Sequence, residues 1–176
     1  MPVYGHGMGE ADDMVETLSL VGPVDAKECL AHWLPRLRGW APGCPVVEVG
    51  STGVPGLTTK GDVDVAVVAP DPPSWQDAVL AFRVRLTPHE PEHWSATWAS
   101  FHGDSAGFRI GVQLVLSGSE EDEYLRGFRR LLLSDAAVVE RYAALKHRHL
   151  GRPVPEYRAA KGRFVDGELV AERGGR

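Results

Sequence analysis

The feature that most constrains the fold is a pair of short apolar runs separated by a loop of small residues. The first run ends at Gly50 and Ser51, and the second, Val63–Val68, contains Asp64 and directly follows Asp62. Runs of this length rich in valine favour β-strands. Because side chains at i and i+2 of a strand lie on the same face, Asp62 and Asp64 are expected to project side by side. Two neighbouring carboxylates can share a divalent cation, so the sequence predicts a metal site here.

The loop between the two runs has the composition of an anion-binding turn. Gly50 and Ser51 offer backbone N–H groups and a hydroxyl to a phosphate, and Thr52 follows them in the same loop. Lys60 precedes the second run and either contacts a phosphate as a point charge or is a solvated loop lysine. Together with the two aspartates, these are the parts of a metal-dependent nucleotidyl-transfer site.

The same residues carry a family resemblance. The segment GSTGVPGLTTK resembles the signature of the GrpB family, whose members usually show GSTAVPGL followed by a lysine. The resemblance extends over roughly residues 20 to 165 and includes weaker matches in the C-terminal half, at Phe128-Arg129, Tyr142 to Lys146, Tyr157, Lys161 and Phe164. The family is assigned to the DNA-polymerase-β-like nucleotidyltransferase superfamily.

The resemblance implies an α/β (α+β) fold of the nucleotidyltransferase type. We expect a short mixed sheet flanked by helices, with the C-terminal helices packed on it. Residues 21–170 would form one domain, preceded by a partly frayed extension over residues 1–20. The implied site holds Mg²⁺ on Asp62 and Asp64 and a nucleoside triphosphate on the Gly50-Ser51 loop, with Arg129 as a further phosphate contact.

Three departures from the family pattern bear on catalysis. Many members have isoleucine where Asp62 stands, so this chain has a fuller carboxylate pair than is usual. Histidine often precedes the Gly-Ser motif, where Glu48 stands, and often occupies the later strand, where the match places Gln113. Transferases of this fold carry a third carboxylate on that strand. Gln113 can bind a metal weakly through its carbonyl oxygen but cannot act as a general base, and Glu48 or Asp104 would have to substitute.

The sequence leaves three possibilities for the function. The first is a Mg²⁺-dependent transfer of a nucleoside monophosphate from a triphosphate to an unknown acceptor. The second is a catalytically inactive nucleotide-binding or regulatory module on the same fold, and a structural protein with a relic site is a third possibility.

Composition limits the partners and the compartment. With 176 residues, 43% hydrophobic and 24% charged, the chain is typical of one globular domain. Its net charge of −5 argues against a large basic surface for nucleic acid, so a nucleotide is the better candidate. Cys29 and Cys44 are expected to be free thiols. No signal segment and no run of 18 apolar residues is present, so we expect a cytoplasmic protein without a membrane span.

His89 and His93 have i, i+4 spacing, but Pro88 and Pro91 argue against a helix that would align them for zinc.

Periodicity and turn residues predict the remaining elements. Asp25 is a candidate N-cap for a helix that ends near Trp40, and Ser74 is a candidate N-cap for a helix from about Trp75 to Arg85. Alternation predicts a strand over Phe108 to Leu116. Further helices are predicted over residues 120–133, 136–150 and 156–165.

Overall fold

The centre of the protein is one five-stranded mixed sheet. It is seen in a computed structural model that describes residues 16–20 and 26–174. The strands are β1 (Val46–Val49), β2 (Val63–Ala69), β3 (Thr87–Pro88), β4 (Trp98–Ser105) and β5 (Phe108–Leu116). Their order in the sheet is β1-β2-β5-β4-β3. β2 and β5 are parallel, whereas the other neighbouring pairs are antiparallel.

Within the described residues, five α-helices and a short 3₁₀ turn (Pro91–His93) connect and cover the strands. The helices are α1 (Lys27–Trp40), α2 (Pro72–Arg83), α3 (Glu120–Ser134), α4 (Ala136–Arg148) and α5 (Val154–Gly174). Side-chain caps fix the starts of two of these helices. The Ser119 hydroxyl accepts a hydrogen bond from the Asp122 N–H at the start of α3, and the Asp135 carboxylate accepts one from the Ala137 N–H at the start of α4.

The two faces of the sheet have different partners. One face packs on α1 and α2 around a core that includes Val65, Val112 and Phe82, all fully buried. Alternation sends Asp64 to the opposite face. The opposite face is apolar at one end, where Val115 packs with Leu125 of α3. Its polar end, which carries Asp64, lies beside the C-terminal helices and forms the floor of the candidate site.

The C-terminal helices form a second apolar core with the loop that follows β1. In α4 the residues at i, i+4 and i+7 are Val138, Tyr142 and Leu145, and all three are buried. Val54 and Leu57 of the loop pack into this cluster. Burying a side chain of this size stabilises the fold by about 1.5–3 kcal/mol, so these two residues hold the loop against α4 and α5.

A two-residue turn fixes the register of β4 against β5. Ala106 and Gly107 connect the two strands with φ angles of 54° and 79°. Positive φ at both central positions is what a tight hairpin requires if its twist is to match that of the strands. The turn therefore determines which side chains of β4 stand beside those of β5.

The predicted α/β class is confirmed, with a mixed sheet flanked by helices and the C-terminal helices packed beside it. The strands predicted at residues 46–49, 63–68 and 108–116 are also confirmed. Both cysteines are free and buried, as expected. No helix within the described ranges is both long enough and apolar enough to cross a bilayer.

Two helix boundaries differ from the predictions. The prediction of Ser74 as the N-cap of α2 is wrong, because the Asp71 carboxylate accepts the Ser74 N–H at 2.8 Å and the helix already begins at Pro72. Proline suits the first turn because its missing N–H would have no partner there. The last helix is longer than predicted and reaches Gly174. The proposed cap at Asp25 lies outside the described residues, as does most of the predicted N-terminal extension.

Within that extension, residues 16–20 are described and run along the start of α5. The Leu18 N–H donates to the Arg152 carbonyl at 2.8 Å, and the Gly151 N–H donates to the Leu18 carbonyl at 2.9 Å. The Leu18 side chain is buried in the C-terminal core. This short segment is therefore packed on the domain.

Candidate functional site

The two predicted carboxylates lie at the floor of the site. Asp62 directly precedes β2, and Asp64 stands in β2 between Val49 of β1 and Gly111 of β5. A Cβ atom built on Gly111 would lie 2.3 Å from Asp64 Oδ1, and one built on Gly50 would lie 3.1 Å from Asp64 Oδ2. Both distances are shorter than an ordinary contact, so the Asp64 carboxylate occupies the space that two glycines leave free.

The electrostatics around Asp64 are those of a partly compensated negative charge. Burial raises the pKa of Asp64, and the neighbouring Asp62 raises it further. The positive charges of Lys161 and Lys60 act in the opposite direction. Removing the Asp64 carboxylate from water costs free energy, and a cation bound between the two aspartates would recover part of it.

The loop after β1 faces this floor. Gly50 begins the loop with a φ of 80°, a conformation that glycine adopts without strain. The Oγ1 atoms of Thr52 and Thr58 are both buried and have no hydrogen-bond partner within the described part of the chain. Buried polar atoms are rarely left unpaired in native proteins. Two unpaired hydroxyls in one loop support the interpretation that it binds a polar ligand.

Lys146 of α4 reaches into this loop. Its side chain is only 1% exposed, and its ammonium group donates hydrogen bonds to Ser51 Oγ and, at 2.6 Å, to the Thr58 carbonyl. The ammonium also lies 4.6 Å from the centre of the Tyr142 ring. Burial lowers the pKa of Lys146 to about 8. The structure therefore places Lys146 against the loop that follows β1.

Lys161 of α5 is a second lysine at the site, and its side chain is half-buried. The charges of Tyr142 and Asp64 raise the pKa of Lys161 against the opposing effect of burial, so it remains a cation. The Tyr142 and Tyr157 hydroxyls are 3.1 Å apart and join α4 to α5 behind the two lysines. Helical periodicity did not single out Lys161, and only its match to the GrpB pattern pointed to it.

Arg129 was predicted as a phosphate contact, and the structure gives one of its nitrogens a different partner. Its Nε donates to the Glu48 carbonyl at 2.8 Å, which ties α3 to β1. The guanidinium is half-buried beside the strand that leads into the phosphate loop. Arg129 thus supports the position of the loop, and direct contact with a phosphate stays a prediction.

Gln113 stands two residue pairs further along β2 and β5 than Asp64. It pairs with Ala66, and its Oε1 accepts a hydrogen bond from Trp98 Nε1 at 2.9 Å. Its Nε2 lies 3.4 Å from the Ser100 hydroxyl. The carbonyl oxygen that could ligate a metal is therefore already engaged, and the residue of β5 beside Asp64 is Gly111.

The two alternative carboxylates do not complete a metal cluster. Glu48 pairs with the core residue Val65, so it alternates away from the face that carries Asp64. Asp104 is 71% exposed and lies 3.9 Å from the Arg109 guanidinium. Within residues 16–20 and 26–174, no three histidine, cysteine, aspartate or glutamate side chains lie close enough to hold a metal ion. Mg²⁺ fits a pair of carboxylates, because it keeps several waters and usually takes its other ligands from substrate phosphates.

Known proteins resemble this chain over most of its length. A curated relative, a UPF0157 protein of Vibrio cholerae, is 26% identical over 125 residues. The match covers 71% of this chain and 65% of the relative, so the chain spans about two thirds of that protein.

Among solved structures, GrpB from Enterococcus faecalis superimposes with a TM-score of 0.63 at 16% identity, over 85% of this chain and 99% of the other. The two proteins share a fold. Cid1 poly(U) polymerase with MgGTP bound matches at a TM-score of 0.45 and 12% identity, over 69% of this chain and 39% of Cid1, which is too low to establish a common fold. The model of the GrpB protein family matches residues 25–169, and the chain therefore belongs to the GrpB family.

Proposed function

We propose that this protein is a Mg²⁺-dependent nucleotidyltransferase that transfers a nucleoside monophosphate from a triphosphate to an acceptor hydroxyl. One observation carries the proposal. A carboxylate pair lies at the floor of a site whose wall is a small-residue loop bound to the buried cation Lys146. Carboxylates for a metal and cations for phosphates are the two requirements of phosphoryl transfer, which depends mainly on positioning and charge stabilisation.

The residues of the site would have separate roles in metal binding and phosphate binding. Asp62 and Asp64 would hold Mg²⁺, which when bound neutralises phosphate charge and aligns the reacting oxygens. Gly50, Ser51 and Thr52 would receive the triphosphate along the loop. Lys146 orients the Ser51 hydroxyl and brings a positive charge to the same place.

The remaining predicted residues have supporting positions. Lys60 is exposed and acts electrostatically on Asp64, so it would contact the phosphates from the solvent side. Arg129 would stabilise the loop and complete the positive surroundings of the phosphates. Since the carbonyl oxygen of Gln113 is bound to Trp98, the proposed metal set rests on the two aspartates, with Gln113 as its weakest member.

The alternative is a nucleotide-binding module without catalysis. Gly111 favours it, because the position of β5 beside Asp64 carries no side chain and so no third carboxylate. This alternative predicts saturable nucleotide binding with no release of pyrophosphate.

The first experiment compares the wild type with the double variant Asp62→Asn, Asp64→Asn. We expect Mg²⁺ to strengthen the stabilisation by a nucleoside triphosphate in the wild type only, and a ligand at one hundred times its Kd adds about 2.7 kcal/mol. We also expect Mg²⁺-dependent pyrophosphate release in the wild type only. Asp77→Asn, an exposed position on α2, is the matched control for the loss of a carboxylate. Unchanged turnover in the double variant would contradict the proposal, and binding without turnover in the wild type would favour the alternative.

We further propose that the protein works in the cytoplasm on a small acceptor. Two free, buried thiols suit a reducing compartment. The acidic net charge of −5 disfavours a nucleic-acid acceptor.

A further inference from the structure

The polar face of the sheet carries a histidine beside the carboxylates. Asp64 of β2 pairs with Gly111 of β5, and Gly111 pairs with His102 of β4. Side chains at paired positions of neighbouring strands project to the same face. Asp64 and His102 therefore flank a position without a side chain, at a Cα separation of about 10 Å, which is two strand spacings.

His102 is held in place rather than free on the surface. Its ring stacks on that of His89, with centroids 4.2 Å apart. The backbone of His89 is itself fixed, since its N–H donates to the Ser100 carbonyl at 2.9 Å. The imidazole of His102 remains exposed enough to meet a ligand.

Three charged side chains act on this imidazole. Asp62 lies on the metal side, and Lys60 and Arg109 are the neighbouring cations. Burial and the adjacent His89 lower the pKa of His102, whereas Asp62 raises it. The net direction leaves His102 uncharged near neutral pH, the state in which a histidine accepts a proton.

On the basis of the proposed function, we propose that His102 is the general base for the acceptor. The acceptor hydroxyl would lie between the imidazole of His102 and the Asp64 carboxylate, which itself fills the space over Gly111. Its proton passes to a free ring nitrogen of His102 as its oxygen forms a bond to the α-phosphorus. The bond from the α-phosphorus to the bridging oxygen breaks, and pyrophosphate leaves with the electron pair. His102 then returns the proton to solvent.

The residues of β5 near the carboxylates supply no proton acceptor. Gln113 cannot accept the proton, and Gly111 offers no side chain at all. Because Gly111 has no side chain, the Asp64 carboxylate extends over it, and no side chain of β5 stands between that carboxylate and His102. His102 on the neighbouring strand β4 would supply the proton acceptor instead.

The kinetic test uses pyrophosphate release in a single turnover, with water as the acceptor and the triphosphate that gives the largest Mg²⁺-dependent thermal shift. Loss of a general base typically lowers the rate 10²- to 10⁴-fold. We expect His102→Ala to lose activity in this range with unchanged nucleotide affinity, and added imidazole to restore part of it. His102→Gln keeps a polar side chain but should be equally slow. His93→Ala, whose side chain is 67% exposed on the 3₁₀ turn, should behave as the wild type.

A binding test does not depend on turnover. We expect Mn²⁺ with the same nucleotide to broaden the ring proton signals of His102, identified by their loss in His102→Gln. The signals of His32, which packs on Trp33 and Phe108 on the other side of the sheet, should broaden only at higher Mn²⁺. Broadening of His102 together with the rescued rate loss supports the proposal.

The other outcomes are separable. If wild-type turnover depends on Asp62 and Asp64 but His102→Ala is as fast, or His102 is not broadened, the general base lies elsewhere and only this inference is overturned. If the wild type binds Mn²⁺ and nucleotide without turnover, the binding module is favoured and His102 is not a base. If neither binding nor turnover occurs, the proposed function fails and this inference fails with it.

Discussion

Replacing Gly111 by alanine tests whether the position of the Asp64 carboxylate, and not only its charge, matters. The new Cβ would lie 2.3 Å from Asp64 Oδ1, whereas ordinary contacts begin at 3.4 Å. The carboxylate would have to move by about 1 Å. The other oxygen of this carboxylate, Oδ2, lies close to Gly50, 3.1 Å from the point where a Cβ of that residue would stand.

The expected effect is large on function and small on stability. A misplacement of 1 Å in a catalytic arrangement can cost about 10²-fold in rate, or about 2.7 kcal/mol of transition-state stabilisation. Alanine in a strand is favoured over glycine by about 0.5–1 kcal/mol, which offsets part of the clash. We therefore expect Gly111→Ala to remain folded while its Mg²⁺-dependent turnover falls about 10²-fold.

The assay pairs this variant with Gly103→Ala on the neighbouring strand. There the new Cβ would meet the Trp33 ring at 2.5 Å on the core face of the sheet. Overpacking of this kind costs about 1–3 kcal/mol of stability. Urea unfolding and Mg²⁺-dependent nucleotide thermal shifts, measured on both proteins, should show opposite losses, with stability lowered for Gly103→Ala and the Mg²⁺ response lowered for Gly111→Ala.

One result would refute the reasoning. Suppose that Gly111→Ala keeps the wild-type Mg²⁺ response and turnover, while Asp64→Asn loses both. The position of the carboxylate between the two glycines would then not affect Mg²⁺ binding or turnover. The site would then tolerate a displaced carboxylate, and the rigidity inferred from Gly50 and Gly111 would be wrong.

Three further predictions concern stability and its dependence on pH. Burial lowers the pKa of Lys146 from 10.5 to about 8, so between these values the unfolded chain binds more protons and the free energy of unfolding rises with pH, by at most about 1.4 kcal/mol per unit. Urea unfolding at pH 7.5 and 9.5 should show this rise in the wild type and not in Lys146→Met. Burial raises the pKa of Asp64 above 3.8, so the folded protein binds more protons just above that pH and loses stability as the pH rises through the folded pKa. Asp64→Asn should therefore be more stable than the wild type at pH 7 without Mg²⁺, and a lower free energy of unfolding in urea would contradict this. Arg129→Ala should lower the free energy of unfolding by about 1 kcal/mol, because the Glu48 carbonyl loses its donor, and should weaken nucleotide binding several-fold. Isothermal titration that gives an unchanged nucleotide affinity would leave Arg129 with a structural role alone.

Local pattern was sufficient for β1, β2 and β5. The valine-rich run predicted β2, and the period of two along a strand predicted that Asp62 and Asp64 share one face. The same reasoning predicted the break between α3 and α4. It failed at α2, since Asp71 and Ser74 are both good caps and the choice between them depends on where the chain leaves β2.

The surroundings of the site depend on contacts that no local pattern contains. Lys146 and Ser51 are 95 residues apart, and the Arg129 contact with Glu48 spans 81 residues. Alternation along β5 could not show that Trp98 engages Gln113 or that Gly111 lies beside Asp64, because both facts follow from the pairing of separate strands.

The sequence by itself determined the strand that carries Asp64 and directly follows Asp62, the small-residue loop before it and the resemblance to the GrpB family. These follow from backbone geometry and residue type, which act over a few residues. Only the tertiary structure decided that Lys146 is a buried cation bound to Ser51, that Gly111 clears the space beside Asp64, and that His102 stands across it. Burial, charge and distance between remote residues are set by how the sheet and the C-terminal helices pack together.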